Sequence, residues 1–177
     1  MASARHSCIT ITPSFSPFRL MRHRITAIHH RACFSSSSCA WVAINDVPIE
    51  LWLAQHLDRP DLELHGLSLI WLIDEHEDAL ANRRIIPAAN GTSTLVPLLV
   101  CSDDMDFACS TLMTEQVIEG DVVCWQRFGR SETEGLEVGA STCWYPDSKP
   151  VSFALADFNR ALSEHQRLIK ESIGSQG

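Results

Sequence analysis

Cys101 and Cys109 bracket a run that carries Asp103, Asp104 and Asp106, so thiols and carboxylates mix within a single short stretch. Carboxylates converging at a strand end bind hard cations such as Ca²⁺ or Mg²⁺, but the Asp-x-Asp-x-Asp-Gly spacing of a calcium loop is absent. Thiolates with a carboxylate suit Zn²⁺, whose tetrahedral shell asks for four donors where only two cysteines stand close in sequence. The plainer reading is a solvated acidic turn. Asp74-Glu75-His76-Glu77-Asp78 sets one imidazole among four acids, which would raise its pKa and make a weak metal or proton-transfer site. A charged surface run needs no such role.

Nucleophilic chemistry would require a thiolate beside a base. Cys109 or Cys143 could meet His56, His65 or His165 through the fold, and spacing alone does not pair them. The chain has no Gly-x-Ser-x-Gly elbow, no phosphate-binding glycine loop and no Gly-x-Gly-x-x-Gly. The usual marks of hydrolases, nucleotide enzymes and dehydrogenases are missing, and no cofactor is expected. Arg127 and Arg130 flank Phe128-Gly129 beside Trp125, an arrangement that anchors an acidic group or stacks on a ligand. Pairing with the protein's own carboxylates competes with that use.

The elements that must position these residues follow from periodicity. Trp41–Ile44 reads as a short strand, and Ile49, Trp52, Leu53, His56 and Leu57 share one helical face behind Pro48. Leu67–Ile73 is an apolar run of buried-strand type, with a short buried helix as the alternative. A helix is expected from the acids at 74–78 to Arg83-Arg84, since that charge order suits the helix dipole. Leu95–Cys101, Cys109–Ile118 and Val122–Phe128 read as an antiparallel meander, with Leu136–Trp144 as a fourth strand. From about Ala154 to Ser172, Leu155, Phe158, Leu162, His165 and Ile169 form an apolar helical stripe. The expected fold is α+β, a small antiparallel meander covered by a C-terminal amphipathic helix.

Charge divides the chain. Residues 1–45 hold five Arg and no acid, whereas residues 46–177 hold all 22 acidic residues and a net charge of −13. Residues 1–39, rich in Arg, His and Ser, are expected to be a disordered leader, either transit-like or an upstream extension, and residues 40–177 a single domain. A surface this acidic repels phosphate backbones, which disfavours nucleic acid and steers a basic partner inward. No apolar run approaches the roughly 20 residues of a membrane span. The four dispersed cysteines after residue 100 read as buried small apolar residues in a reducing compartment, the cytoplasm, or an organelle if the leader is a transit peptide.

Pro97-Leu98-Leu99-Val100-Cys101, then Cys109, then Val122-Val123-Cys124-Trp125-Gln126-Arg127-Phe128-Gly129, then Trp144 and Phe153 before a terminal helix together resemble a group of uncharacterised bacterial proteins. With Trp41–Ile44 as the opening strand, the likeness spans residues 41–170. In that group the turn after the first meander strand looks like Cys-x-Cys-Gly-x-x-Gly-Cys. Here only the outer cysteines match, and three carboxylates stand where two soft ligands are lost. The resemblance implies no activity. The expected function is therefore a non-catalytic protein-interaction module, an immunity-type or accessory factor of a bacterial cytoplasm with a protein partner, a basic one being favoured by the acidic surface. The alternative is a small metal- or thiol-dependent enzyme built on the Cys101–Cys109 loop. Asp103, Asp104, Asp106, Trp125, Arg127 and Arg130 are the candidate binding residues, and Cys101 and Cys109 the candidate metal ligands.

Overall fold

The computed structural model describes residues 21–174. Strands β1 (Ile25–His30), β2 (Cys39–Ile44) and β3 (Val47–Pro48) form a small antiparallel sheet in that order. Asn45 and Asp46 both take positive φ, 51° and 68°, which closes β2 and β3 in a two-residue turn whose twist matches the strands. Helix α1 (Ile49–His56) starts directly after Pro48, where the missing N–H costs no helical bond.

Strand β4 (His65–Leu67) leads into a single helical turn, α2 (Ser68–Trp71), and then into α3 (Glu75–Ile85). The apolar run expected as one strand is thus split, with the helical alternative taken by its second part. Ser68 accounts for the break, since its hydroxyl donates to the Pro97 carbonyl at 2.7 Å and ties the turn to the neighbouring strand. Asp74 caps α3 by accepting from the backbone N–H groups of His76 and Glu77 at 2.9 and 3.0 Å.

The larger sheet contains β4, β5 (Ser93–Cys101), β6 (Thr111–Glu119), β7 (Val122–Ser131) and β8 (Thr142–Trp144) in that order, all antiparallel. Strand β9 (Val151–Ala154) pairs with the first half of β7, on the edge whose second half pairs with β8. The expected strand over Leu136–Trp144 is mostly absent. Residues Gly135–Glu137 form a 3-10 turn and Gly139 takes φ 83°, so only Thr142–Trp144 joins the sheet. Helix α4 (Leu155–Gly174) completes the expected α+β fold of antiparallel sheets and a C-terminal helix.

The stripe of α4 bears chiefly on β1 and β2, and reaches the larger sheet through Phe158, whose ring lies 6.0 Å from that of Trp125. Between the two sheets lies the main core, which includes Trp41, Leu53, Leu98, Trp125, Phe128 and Phe153. On the far face a smaller cluster of Leu80, Ala81, Val100, Phe107, Met113 and Val138 packs α3 against the strands.

The leader boundary requires correction. Residues 25–30, assigned by composition to a disordered segment, form β1, which pairs with β2 from Ile25–Ile44 to His30–Cys39. Ile25 and Ala32 are buried, and the backbone N–H of His23 donates to the Ser152 carbonyl at 2.8 Å. A strand that borrows its apolar partners from a distant helix carries little hydrophobic period of its own. The expected disorder of residues 1–20 lies outside the described residues.

One polar cluster crosses the small sheet. Glu50, only 1% exposed, accepts from the Trp41 indole N–H and from His30 Nε2, the latter at 2.6 Å. A carboxyl group this deep is tolerated because both its oxygens have hydrogen-bond partners.

Candidate functional site

Strand β5 ends at Cys101 and β6 begins at Thr111, and the acidic loop between them is held from several sides. Cys101 donates its N–H to the Ser110 carbonyl at 2.9 Å, and Met105 donates to the Cys101 carbonyl at 3.2 Å. The Trp71 indole donates to the Ser102 carbonyl at 3.2 Å. Ile73 N–H donates to the Met105 carbonyl at 3.0 Å, and the Phe107 N–H to Glu77 Oε2 at 2.9 Å. Phe107 itself is buried and fastens the loop to the smaller core. The loop is a fixed object.

Within it Cys101 Sγ, a carboxylate oxygen of Asp104 and Cys109 Sγ all lie within 4.8 Å of one another. Hydrogen bonding to the Asp104 carboxylate, then to Cys101, pushes the Cys109 thiol up to about 12. An ionised carboxylate that accepts a thiol proton opposes a second negative charge beside it, so Cys109 is a poor nucleophile as it stands. Asp103 and Asp104 are exposed, and half-buried Asp106 accepts from the Ala108 N–H at 2.9 Å.

His65 pairs with Cys101 across β4 and β5. Its Nδ1–H donates to the Asp61 carbonyl at 3.0 Å, which leaves Nε2 to accept from the Ser110 hydroxyl at 3.3 Å. Burial holds this imidazole below its ordinary pKa, with the Asp61 carbonyl acting in the opposite sense. Of the three histidines considered as bases, His65 is the one beside the loop. His56 stacks on Trp52 with its Nε2 on the Lys149 carbonyl, and His165 is buried in α4.

The loop and the start of α3 merge two acidic runs that lie far apart in sequence. Asp74, Glu75 and His76 are exposed at the start of α3, Asp103 and Asp104 are exposed in the loop, and Glu77 ties the two segments together. Burial raises the Glu77 carboxyl above its ordinary value; the Phe107 N–H opposes this, while Asp106 and Asp74 add to it. A raised carboxyl holds its proton more tightly folded than unfolded, so stability falls as pH rises from the ordinary carboxyl range through the folded pKa. Glu77→Gln keeps an acceptor for Phe107 and removes the titration. The stability of Glu77→Gln relative to the native protein is therefore expected to increase across that window, as read by urea unfolding at a series of pH values. A constant difference would exclude the assignment.

Trp125 is not available for binding. It is 1% exposed and its indole N–H donates to Gln116 Oε1 at 3.0 Å. The cause is a bulge: Thr114 faces Phe128 and Gln116 faces Trp125, so Glu115 stands opposite both Gln126 and Arg127. Alternation breaks there, which buries Trp125 and Phe128 and exposes Gln126 and Arg127. Arg127 pairs with Glu115 at 2.6 Å and lies 4.1 Å above the Trp144 ring. Arg130 is exposed one turn of the pleat further on, opposite Cys143. These cations lie two strands away from β5. The candidate binding residues therefore separate into an acidic loop, a core tryptophan and a surface arginine stack.

The convergence of Asp104 with the two thiols, and the place of His65 beside Cys101, had no signal in spacing. Of the four cysteines expected to be buried, Cys124 is, with burial and then Glu119 pushing its thiol up to about 11, whereas Cys101 is half-buried and Cys109 and Cys143 are exposed. No helix among the described residues is long and apolar enough to cross a membrane. No protein-family model, curated protein or solved structure matches the chain.

Proposed function

We propose that the protein is a non-catalytic interaction module, an immunity-type or accessory factor of a bacterial cytoplasm, that docks a basic protein partner on the face built from loop 102–110 and the start of α3. The observation that supports this reading is the merger of two acidic runs. Exposed Asp74, Glu75, Asp103 and Asp104 share one surface because Ile73 N–H and Glu77 hold the loop against the helix. Ile73, 67% exposed at the edge of this surface, supplies an apolar anchor of the kind that carries binding energy while the surrounding charge guides encounter.

Affinity capture from cell extract tests it, comparing the native protein with Asp74→Lys/Glu75→Lys/Asp103→Lys and with Glu63→Lys/Glu119→Lys/Asp147→Lys, a control carrying the same charge change on exposed acids elsewhere. The expected result is a partner retained by the native and control proteins, lost at least about tenfold from the first variant, and released by salt. Equal retention by all three proteins would remove the reading. The second reading, a thiol- or metal-dependent enzyme on the same loop, draws on the closeness of Cys101, Asp104 and Cys109.

A further inference from the structure

We infer that Cys101, Asp104 and Cys109 form a three-ligand site for a borderline-soft divalent cation of the zinc class, open at its fourth position. The donors lie within 4.8 Å of one another. A tetrahedral shell with Zn–S near about 2.3 Å and Zn–O near about 2.0 Å spaces its donors by about 3.5–3.8 Å. Each need draw in by no more than about 1.3 Å, a movement within reach of side-chain rotation at an exposed loop. The backbone need not move, because the loop is already tied at Ser102, Met105 and Phe107. Such preorganisation lowers the cost of assembling a site.

Donor chemistry selects the ion. Two thiolates disfavour Ca²⁺ and Mg²⁺, which take oxygen shells, and one carboxylate is compatible with zinc. On binding, both thiols release their protons, the ionised carboxylate joins without one, and three negative ligands around a dication leave a net charge of −1. His65 keeps its ring between the Asp61 carbonyl and Ser110, so water or a donor from a bound molecule completes the shell. Three protein ligands with an open position distinguish this arrangement from closed structural zinc sites.

The test is titration of the reduced full chain with Co²⁺, a spectroscopic stand-in, followed by displacement with Zn²⁺. Mass spectrometry under non-reducing conditions first establishes that Cys101 and Cys109 are free thiols. The expected result is a thiolate-to-cobalt charge-transfer band that saturates at one equivalent and is abolished by Zn²⁺. Cys109→Ser weakens binding by more than about 100-fold and Asp104→Asn by at least about tenfold, beyond or at the range that outer-shell changes produce. Both positions are exposed, so neither change threatens the core, and Cys143→Ser leaves the band intact. Absence of the band from the native protein, or its survival in Cys109→Ser, overturns the site. The inference is independent of the docking reading: Cys109→Ser leaves the acidic face charged, and Asp74→Lys/Glu75→Lys/Asp103→Lys leaves all three ligands in place.

Discussion

Replacing Glu50 by alanine is expected to destabilise the protein by about 1–3 kcal/mol, the cost of leaving a buried hydrogen-bond donor without its acceptor. The carboxylate is 1% exposed and serves two donors, the Trp41 indole N–H and His30 Nε2. Truncation strands the indole N–H of a tryptophan that is itself fully buried. It also releases His30, whose ring packs edge-on against Trp41 at 5.5 Å. Glu50→Gln keeps one acceptor and is expected to recover at least about 1 kcal/mol of the loss, the net worth of one hydrogen bond. Urea unfolding of the three proteins followed by tryptophan fluorescence measures both differences. A cost below about 1 kcal/mol for alanine would show that the cluster contributes no net stability.

The second large effect concerns β1. A chain that begins at Ala40, the boundary composition alone indicates, is expected to lose cooperative unfolding, whereas one that begins at Met21 retains it. Strand β1 pairs with β2 along its whole length, and α4 lies on both strands. Removal strips buried Ile25 and Ala32 from the main core, with the partly buried Ile28 and Phe34 packed against it, and a large apolar side chain contributes up to about 1.5–3 kcal/mol when fully buried. Total stabilities are only about 5–15 kcal/mol, so the loss approaches the whole. Thermal melting by circular dichroism and limited trypsin digestion report the outcome. Equal melts and equal resistance for the two chains would place β1 outside the stabilising core.

The contrast between β1 and α4 shows what the sequence made legible. Helix α4 announces itself because Leu155, Phe158, Leu162 and His165 repeat at helical spacing, and the meander because β5, β6 and β7 are long apolar runs divided by turn residues. Strand β1 is half exposed and contains Ala and two His, so its place depends on contacts with residues far along the chain. The burial of Trp125 escapes the sequence for a related reason: strict alternation would set it on one face with Arg127, and a bulge that depends on pairing with β6 is invisible in β7 alone. At the candidate site, Cys101, Cys109 and the acids between them were legible as types. Their geometry was not, because the path of the loop is set by bonds to Trp71 and to Glu77 of α3.

The packing of β1 against α4 also constrains synthesis. During translation the first strand leaves the ribosome with its helical cover still unmade, and most of the described chain must follow before that surface can be closed. Sheets completed by such distant contacts form slowly and leave strand edges unpaired in the interval, the condition under which nascent chains associate with one another or recruit chaperones.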